Sequence, residues 1–560
     1  MSNMKFPLLV LAVLCLALSV PAEWGHALDE YLHIEGWSEP SMCSDGNGGC
    51  WVTATNPGPV AVLIHVNRYG VVTWDESLEI LPNRLIWGAS PTMASNGDVV
   101  IVFAVDVDED PDIYISHAYI QRINLAGELL WGEQGIPLDT IENRYLPCSI
   151  LFPGPHEDTY IAHWVRIDDI NYNPIESHLQ LIDGDGHFHW GDDGITPENW
   201  PARTRIKLIS TSDNEIMGAR IFTTDTPALV VARFDADGND LWGEDSPTLK
   251  EYGQRICYCD TESDREGGAI FVYEYERYGD PPDTLIYYGI LATRVTSEGE
   301  IAWERSLHER PRDELYEPFG DINPIINHAD SGCFFVCWAD NHNAFQVVAL
   351  NVDGEDIWEE PVDVILNGRS YSKLEGVESN QGVCYAWRDI DNDRENGGSV
   401  QLWGQRISTR GERLWGDRGR CIQARNVDEK GVTTDSDGGL ITSIGPNISL
   451  QMINRNGELG VVLNTAVEDS SSDRSMLIDP HIKLYPNPCN SAFRLEFDVD
   501  FPGNGFTYRL FDIAGRTVRT GVSKGRYSVI DNLSRLPSGE YSILLQIPDS
   551  KSVERVVIIR

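Results

Sequence analysis

Short apolar runs broken by glycine-centred turns recur along most of the chain. The stretch around Gly354 is representative. Residues 322–327 predict a short strand, Ser331-Gly332 a turn, 333–338 a second strand and 339–344 a polar loop. Residues 345–352 alternate apolar and polar and predict a third strand. Asp353-Gly354 forms a tight turn into a fourth strand that starts over 355–358. Asp-Gly between two apolar runs is a strong hairpin signal.

This unit repeats. A glycine that closes the last turn is followed four residues later by tryptophan at Gly70/Trp74, Gly127/Trp131, Gly186/Trp190, Gly238/Trp242, Gly299/Trp303, Gly354/Trp358 and Gly411/Trp415. An eighth copy at Gly457 carries Val461 in the tryptophan position. A period of roughly 55 residues marks a solenoid, propeller or array. Four antiparallel strands per unit select an all-β fold, a β-propeller of eight four-stranded blades, with seven as the alternative. Each glycine is expected to supply positive φ in its turn, and each tryptophan to fill the gap between adjacent blades. Glu23-Trp24-Gly25 looks like a fourth-strand fragment, so the N-terminal piece is expected to complete the last blade.

The Gly-x-x-x-Trp spacing, as in Asp-Ala-Asp-Gly-Asn-Asp-Leu-Trp-Gly at 235–243, resembles the tryptophan-docking motif of quinoprotein-type propellers. The wider unit is similar to propeller-like repeats of large secreted bacterial proteins that end in sorting domains. The likeness covers roughly residues 38–465 and implies fold rather than activity.

The pattern changes after Val467. Residues 468–479 read as a polar, Ser-rich linker, and 480–560 as a small Ig-like β-sandwich of short alternating strands. This module resembles the type A C-terminal sorting domain of the type IX secretion system. The likeness rests on Tyr485-Pro486-Asn487-Pro488, on Asp512, Gly515 and Arg516 within a hairpin, on Gly539 and Tyr541 after Leu536-Pro537-Ser538, and on the apolar-basic last strand. It implies Sec export, recognition of the folded tag by the secretion machinery of the outer membrane, and then surface attachment or release.

The N-terminus fits that route. Lys5 precedes an apolar run over 6–18, and Val20-Pro21-Ala22 fits a cleavage site, so 1–22 read as a signal peptide and 23–467 as the propeller region. No transmembrane segment is expected in the mature chain.

Charge narrows the partners. The 43 basic and 87 acidic residues give a net charge of −44, a field that repels nucleic acid and anionic lipid. Of the 11 cysteines, only Cys15 lies in the leader. In an oxidising compartment Cys43 and Cys50, flanking a Gly-rich turn, form the best candidate disulfide, and Cys333 and Cys337 are expected on one strand face, too far apart to bond each other. Most cysteines are expected to be small buried apolar residues.

The long loops of such a propeller gather on one face, and several are acidic. They include Asp106, Asp108, Asp110 and Asp112; Asp168, Asp169, Asn171 and Asn173; Asp280 and Asp283; Asp340, Asn341 and Asn343; and Asp389, Asp391, Asp393 and Glu395. These read first as solvated turns. The chemistry they would support is binding of a hard cation such as calcium, with Asp389, Asp391 and Asp393 as candidate ligands, although Arg394 stands where a calcium loop needs glycine. No cofactor is required by any motif. His163, His178, His187 and His189 fall in one unit and read as partly exposed strand residues. No Gly-x-Ser-x-Gly elbow, His-Glu-x-x-His or P-loop is present.

The expected function is therefore that of a secreted or cell-surface binding or scaffolding protein with an extracellular glycan or protein ligand. The alternative is an extracellular propeller hydrolase or lyase acting on polysaccharide, which needs titratable groups converging in the axial funnel.

Overall fold

A computed structural model describes Trp24, 32–34, 38–55, 61–74, 78–80, 86–94, 96–106, 116–138, 144–167, 174–197, 206–221, 229–250, 254–278, 285–311, 324–329, 332–340, 344–365, 370–379, 381–390, 400–423, 429–444 and 448–460, together with C-terminal strands between 482 and 558. The chain divides into two units, Met1–Val461 and Val462–Arg560.

The first unit is an eight-bladed β-propeller. The blades begin with the strands Ser38–Ser44, Ile86–Met93, Arg144–Pro153, Ile206–Ser210, Gln254–Ser263, Ile325–Ala329, Ser370–Ser379 and Glu429–Thr434. Each of these first strands contacts the first strands of both neighbouring blades, so the eight form a closed inner ring around the axis. Within blades 1, 2 and 4–7 the strands pair antiparallel in chain order, first to fourth. Blade 3 departs from this pattern, with three ladder strands and only isolated bridges, Ile182 to Phe188 and Leu179 to Ile195, in place of a fourth.

Blade 6 tests the sequence reading in detail. Its strands are Ile325–Ala329, Cys333–Asp340, Ala344–Leu350 and Val362–Asp363. The first three lie where the alternation places them. The fourth lies after Trp358 rather than on it, because the chain makes a bridge at Asp356 and then bends before pairing again.

Apolar side chains on both faces of every blade are buried against the neighbouring blades. Phe335, Phe345 and Val347 of blade 6 pack on Val383, Tyr385 and Trp387 of blade 7. Cys333 and Cys337 share that face, as a period of two requires. Equivalent clusters separate all the other successive blades, including blade 8 from blade 1.

The Gly/Trp pairs join one blade to the next. The ring of Trp303 in blade 5 lies on Gly354 in blade 6, where a Cβ would stand 2.7 Å from Trp303 Cδ2. Gly354 also has φ +78, and its N–H donates to Asn351 O at 3.0 Å. Glycine is thus required twice, by the turn and by the ring of the preceding blade. Trp131 on Gly186, Trp190 on Gly238, Trp242 on Gly299, Trp358 on Gly411 and Trp415 on Gly457 repeat the arrangement, as does Trp74 on Gly127.

The indole N–H adds a directed bond, donated to the carbonyl two residues before the turn glycine of the next blade. Trp74 reaches Leu125 O at 3.1 Å, Trp131 reaches Gly184 O at 3.3 Å, Trp190 reaches Ala236 O at 2.9 Å, Trp358 reaches Thr409 O at 3.0 Å and Trp415 reaches Arg455 O at 3.0 Å. Trp24 completes the series by donating to Arg68 O at 2.9 Å, two residues before Gly70. Leu32–Ile34 pairs with Ile448–Ile453 as the outer strand of blade 8. The N-terminal segment therefore supplies both the fourth strand and the tryptophan that the last repeat lacks.

A second stitch follows the same geometry. Arg122, Arg294 and Arg406 each stand five residues before a turn glycine. Arg122 binds Asp98 in its own blade, and Asp158 and Gly184 O in the next. Arg294 binds Asp264 and Glu266 in its own blade and Val352 O in the next, the carbonyl that also receives Trp303 Nε1.

Cys43 and Cys50 do not form the expected disulfide, and both are free. In the hairpin Cys43 pairs with Trp51 and Cys50 with Ser44, one register step apart. One step in a strand turns a side chain to the opposite face. Cys50 accordingly packs towards blade 8 and Cys43 towards blade 2. Cys50, Cys259, Cys333, Cys337 and Cys384 are buried.

The second unit holds two antiparallel sheets, one of three strands and one of four. In the four-stranded sheet Tyr508, Leu510 and Tyr541 are buried and share one face by register.

Candidate functional site

The inner ring carries the candidate site. Blade 5's first strand, Gln254–Ser263, sets Tyr258, Asp260 and Glu262 at alternate positions, and so on one face. The opposite face, with Ile256 and Cys259, packs into the apolar cluster between blades 4 and 5. Asp260 then links three blades. Its Oδ1 is 2.9 Å from Lys207 Nζ of blade 4, and its Oδ2 accepts the Ile326 N–H of blade 6 at 3.1 Å. Lys207 Nζ also lies 5.8 Å from the centroid of the Tyr258 ring. The Asp260 carboxylate holds the Lys207 ammonium well above its ordinary pKa despite burial.

One step nearer the strand 1–2 turns, blades 5, 6 and 7 meet. Glu262 Oε1 accepts the Ser263 N–H at 3.1 Å. Burial first, and then the neighbouring Glu378 carboxylate of blade 7, push Glu262 up to about 8. Glu378 Oε1 in turn accepts the His328 N–H of blade 6 at 3.2 Å. The Arg265 guanidinium donates to His328 Nδ1 at 2.9 Å. That bond makes Nδ1 an acceptor and places the ring proton on Nε2 when His328 is neutral. Arg265 is held in left-handed backbone, φ +66, by the turn at Asp264, whose Oδ1 accepts the N–H groups of Glu266 and Gly268 at 2.8 Å each.

The arrangement sets Glu262, its pKa raised, beside Glu378, with Lys207 and Arg265 engaged by internal partners. The sequence reading missed all seven residues because they are drawn from four different repeats. Their signal was polar alternation, Tyr258-x-Asp260-x-Glu262, in a strand whose counterpart in blade 2, Ile86–Met93, has no charged residue.

The histidines of blade 3 are placed differently from the expectation of partial exposure. His163 and His178 are each 3% exposed. They occupy opposite faces of the blade, because His163 pairs with Leu179 and His178 with Trp164. His163 Nε2 meets Ser177 Oγ at 2.7 Å, and burial followed by the nearby His178 lowers His163 to about 4. His178 stacks on Trp164, with ring centroids 5.3 Å apart, and bonds Glu176 at 3.2 Å and Thr196 at 3.1 Å. His187 and His189 are more exposed, and both bond Asp183 at 3.3 Å.

Among the candidate calcium ligands, Asp389 lies on the second strand of blade 7, opposite Tyr371 and Gln401, and is 8% exposed. Asp391 and Asp393 lie outside the described residues, as do Asp108, Asp110, Asp112, Asp168, Asp169, Asp280 and Asp283. Among the described residues no group of three or more His, Cys, Asp or Glu is placed to hold a metal ion. Of the sorting residues, Tyr485 ends the strand Ile482–Tyr485, and Gly539 and Tyr541 begin Gly539–Ile547. Pro486, Asn487, Pro488, Asp512, Gly515 and Arg516 lie outside the described residues. Among the described residues no helix is long and apolar enough to cross a membrane.

No curated protein sequence matches the chain. Among solved structures it is similar to prolyl oligopeptidase B from Galerina marginata, with 10% identity, a TM-score of 0.40 and coverage of 73% of this chain and 55% of that one. The chain thus spans about half the length of the oligopeptidase structures it matches. It is also similar to the WD40 domain of SCAP from fission yeast, with 10% identity, a TM-score of 0.38 and coverage of 76% and 93%. An alpha-L-arabinanase from Penicillium chrysogenum matches at 13% identity, a TM-score of 0.33 and coverage of 57% of this chain and 92% of that one. Residues 483–559 match the family described as the secretion system C-terminal sorting domain. The chain is therefore an eight-bladed β-propeller protein that ends in a secretion system C-terminal sorting domain.

Proposed function

We propose that the sorting domain carries this chain to the cell surface or the medium through the type IX machinery, and that the propeller acts there as a binding protein. The contact site in this reading is the inner-strand cluster of blades 4–7. The observation that supports it is the meeting of ionisable side chains from four consecutive first strands, Lys207, Asp260, Glu262, His328 and Glu378, around one axis. Binding and catalytic groups that converge from separate elements mark a site better than any single residue does.

Export is tested by removing residues 483–559. The truncated propeller should accumulate in the periplasm, and unchanged surface delivery would overturn the sorting role. Binding is tested by titrating the full chain with extracellular glycans and proteins, where turnover without saturable binding counts against a binding protein.

A hydrolase reading draws on the neighbouring carboxyl groups of Glu262 and Glu378, with Glu262 raised by burial and by Glu378. A carboxyl of that kind can protonate a leaving oxygen while its partner acts as base. Product release from polysaccharide by the full chain, abolished in Glu262→Gln, would establish that reading. Its absence at high protein concentration would end it.

A further inference from the structure

We infer that the export leader is cut from this chain before the propeller ring closes, and that the closed ring then shields the cut site. This rests on the reading of residues 1–22 as an export leader and goes further by tying the cut to one buried side chain.

The expected cut falls between Ala22 and Glu23, after the small-residue pattern Val20-Pro21-Ala22. The step is a hydrolysis. Water adds across the amide, leaving a carboxylate on Ala22 and a free amino group on Glu23. Trp24 is the second residue beyond that bond. Its ring is buried with Leu32, Val52, Ile64, Ile441 and Leu450, and its indole N–H donates to Arg68 O at 2.9 Å. Two residues of chain reach no further than about 7 Å, so the bond to be cut stays within that distance of the seam.

That reach sets cutting against closure. A peptidase needs an open segment on both sides of the bond, and a folded segment is cut only in the fraction of molecules in which it opens. Trp24 cannot occupy the peptidase cleft and the seam between blades 8 and 1 at once. Undocking it returns a large buried ring to water, so the open fraction is small. Leu32–Ile34, paired with Ile448–Ile453, pins the segment a second time. The choice of bond matters for the same reason. Gly25-His26-Ala27 is a second small-residue pattern, five residues downstream. A cut after Ala27 would remove Trp24, and Val461 stands where the last repeat would carry its own tryptophan. Only the upstream cut leaves every seam with a docking tryptophan.

The test uses the full chain, 1–560, with its leader intact and a detergent-solubilised leader peptidase. Release of the fragment 1–22 is followed by mass spectrometry. Chain diluted straight from denaturant into peptidase should be cut between Ala22 and Glu23. Chain refolded beforehand should be cut at least about tenfold more slowly. Leu32→Asp places a charge in the seam, ten residues from the bond, and should restore rapid cutting of the refolded chain, as should Trp24→Ala. Gly354→Ala, which loosens the seam between blades 5 and 6, should leave the leader protected. Equal rates before and after refolding would overturn the inference. So would seam variants that stay as protected as wild type, or a refolded Gly354→Ala chain cut as fast as Leu32→Asp. An exported protein whose N-terminus lies beyond Trp24 would overturn it too. Chain that is not cut even from denaturant would remove the leader reading, and the inference with it.

Discussion

The Trp24 indole N–H donates to the carbonyl of Arg68 at 2.9 Å, which makes the first tryptophan after the expected leader the eighth docking tryptophan of the ring. Trp24 is 1% exposed and packs with Leu32, Val52, Ile64, Ile441 and Leu450 between blades 8 and 1. Truncation at this seam removes a large buried side chain and the hydrogen bond with it. Trp24→Ala should destabilise the propeller by about 3–5 kcal/mol. Denaturant unfolding measures the loss, and a midpoint unchanged from wild type would show that the seam does not hold the ring.

Glycine at position 354 is required twice, and the two requirements can be separated. Gly132 has φ +85 with no atom within 4 Å of a built Cβ, whereas Gly354 has φ +78 with the Trp303 ring at 2.7 Å. Gly132→Ala should cost only the backbone strain, about 1–2 kcal/mol. Gly354→Ala should cost clearly more, because the Trp303 ring must also move. Equal losses of melting temperature in the two variants would show that the ring contact adds nothing.

His163 gives the propeller an acid limit. Its pKa is about 4 in the fold and near 6.5 when unfolded. The unfolded chain therefore binds more protons between those values, and stability falls as pH drops from about 6.5 towards 4. The loss attributable to this group approaches about 3 kcal/mol at the lower end. His163→Gln should flatten that part of the pH–stability curve, and a variant curve parallel to wild type would contradict the assignment.

Glu262 acts in the opposite direction. Its pKa of about 8 in the fold lies above the ordinary value of 4.5, so here the folded state binds more protons. Stability should decline as pH rises from about 4.5 to about 8, and then level off. Glu262→Gln should remove this decline and stabilise the chain at pH 8 relative to wild type. Unfolding midpoints measured at pH 5 and pH 8 decide it, and a wild-type midpoint that does not fall between them contradicts the raised pKa of Glu262.

The sequence made the blade architecture legible because its marker is rare and periodic. Tryptophan four residues after a turn glycine has few accidental occurrences, and each instance found its docking glycine one blade later. Trp24 was legible in another way, through Glu23-Trp24-Gly25, which looks like the start of a fourth strand. The arginine stitch was not, since nothing in the sequence alone says that Arg122 and Arg294 reach across to the next blade. Cys43 and Cys50 misled because loop length suggested proximity, while the register set their side chains on opposite faces. The axial cluster was hidden by distance along the chain. Lys207, Asp260, His328 and Glu378 belong to four repeats, and only closure of the inner ring brings them together. Reading the acidic loops as the place to look followed from composition, whereas the described chemistry lies at the strands of the axis.

The pairing of Leu32–Ile34 with Ile448–Ile453 also sets an order of events. Seven seams of the ring join neighbouring repeats, and each can form as soon as two consecutive blades exist. The eighth joins the beginning of the propeller to its end, a loop closure across more than 400 residues of chain. The first-made segment must wait, unpaired, until the last blade is complete, and contacts of such long sequence separation form slowly. During that interval Trp24 and the outer edge of blade 8 stay open to other chains, so the seam is where two half-finished rings would exchange their N-terminal strands.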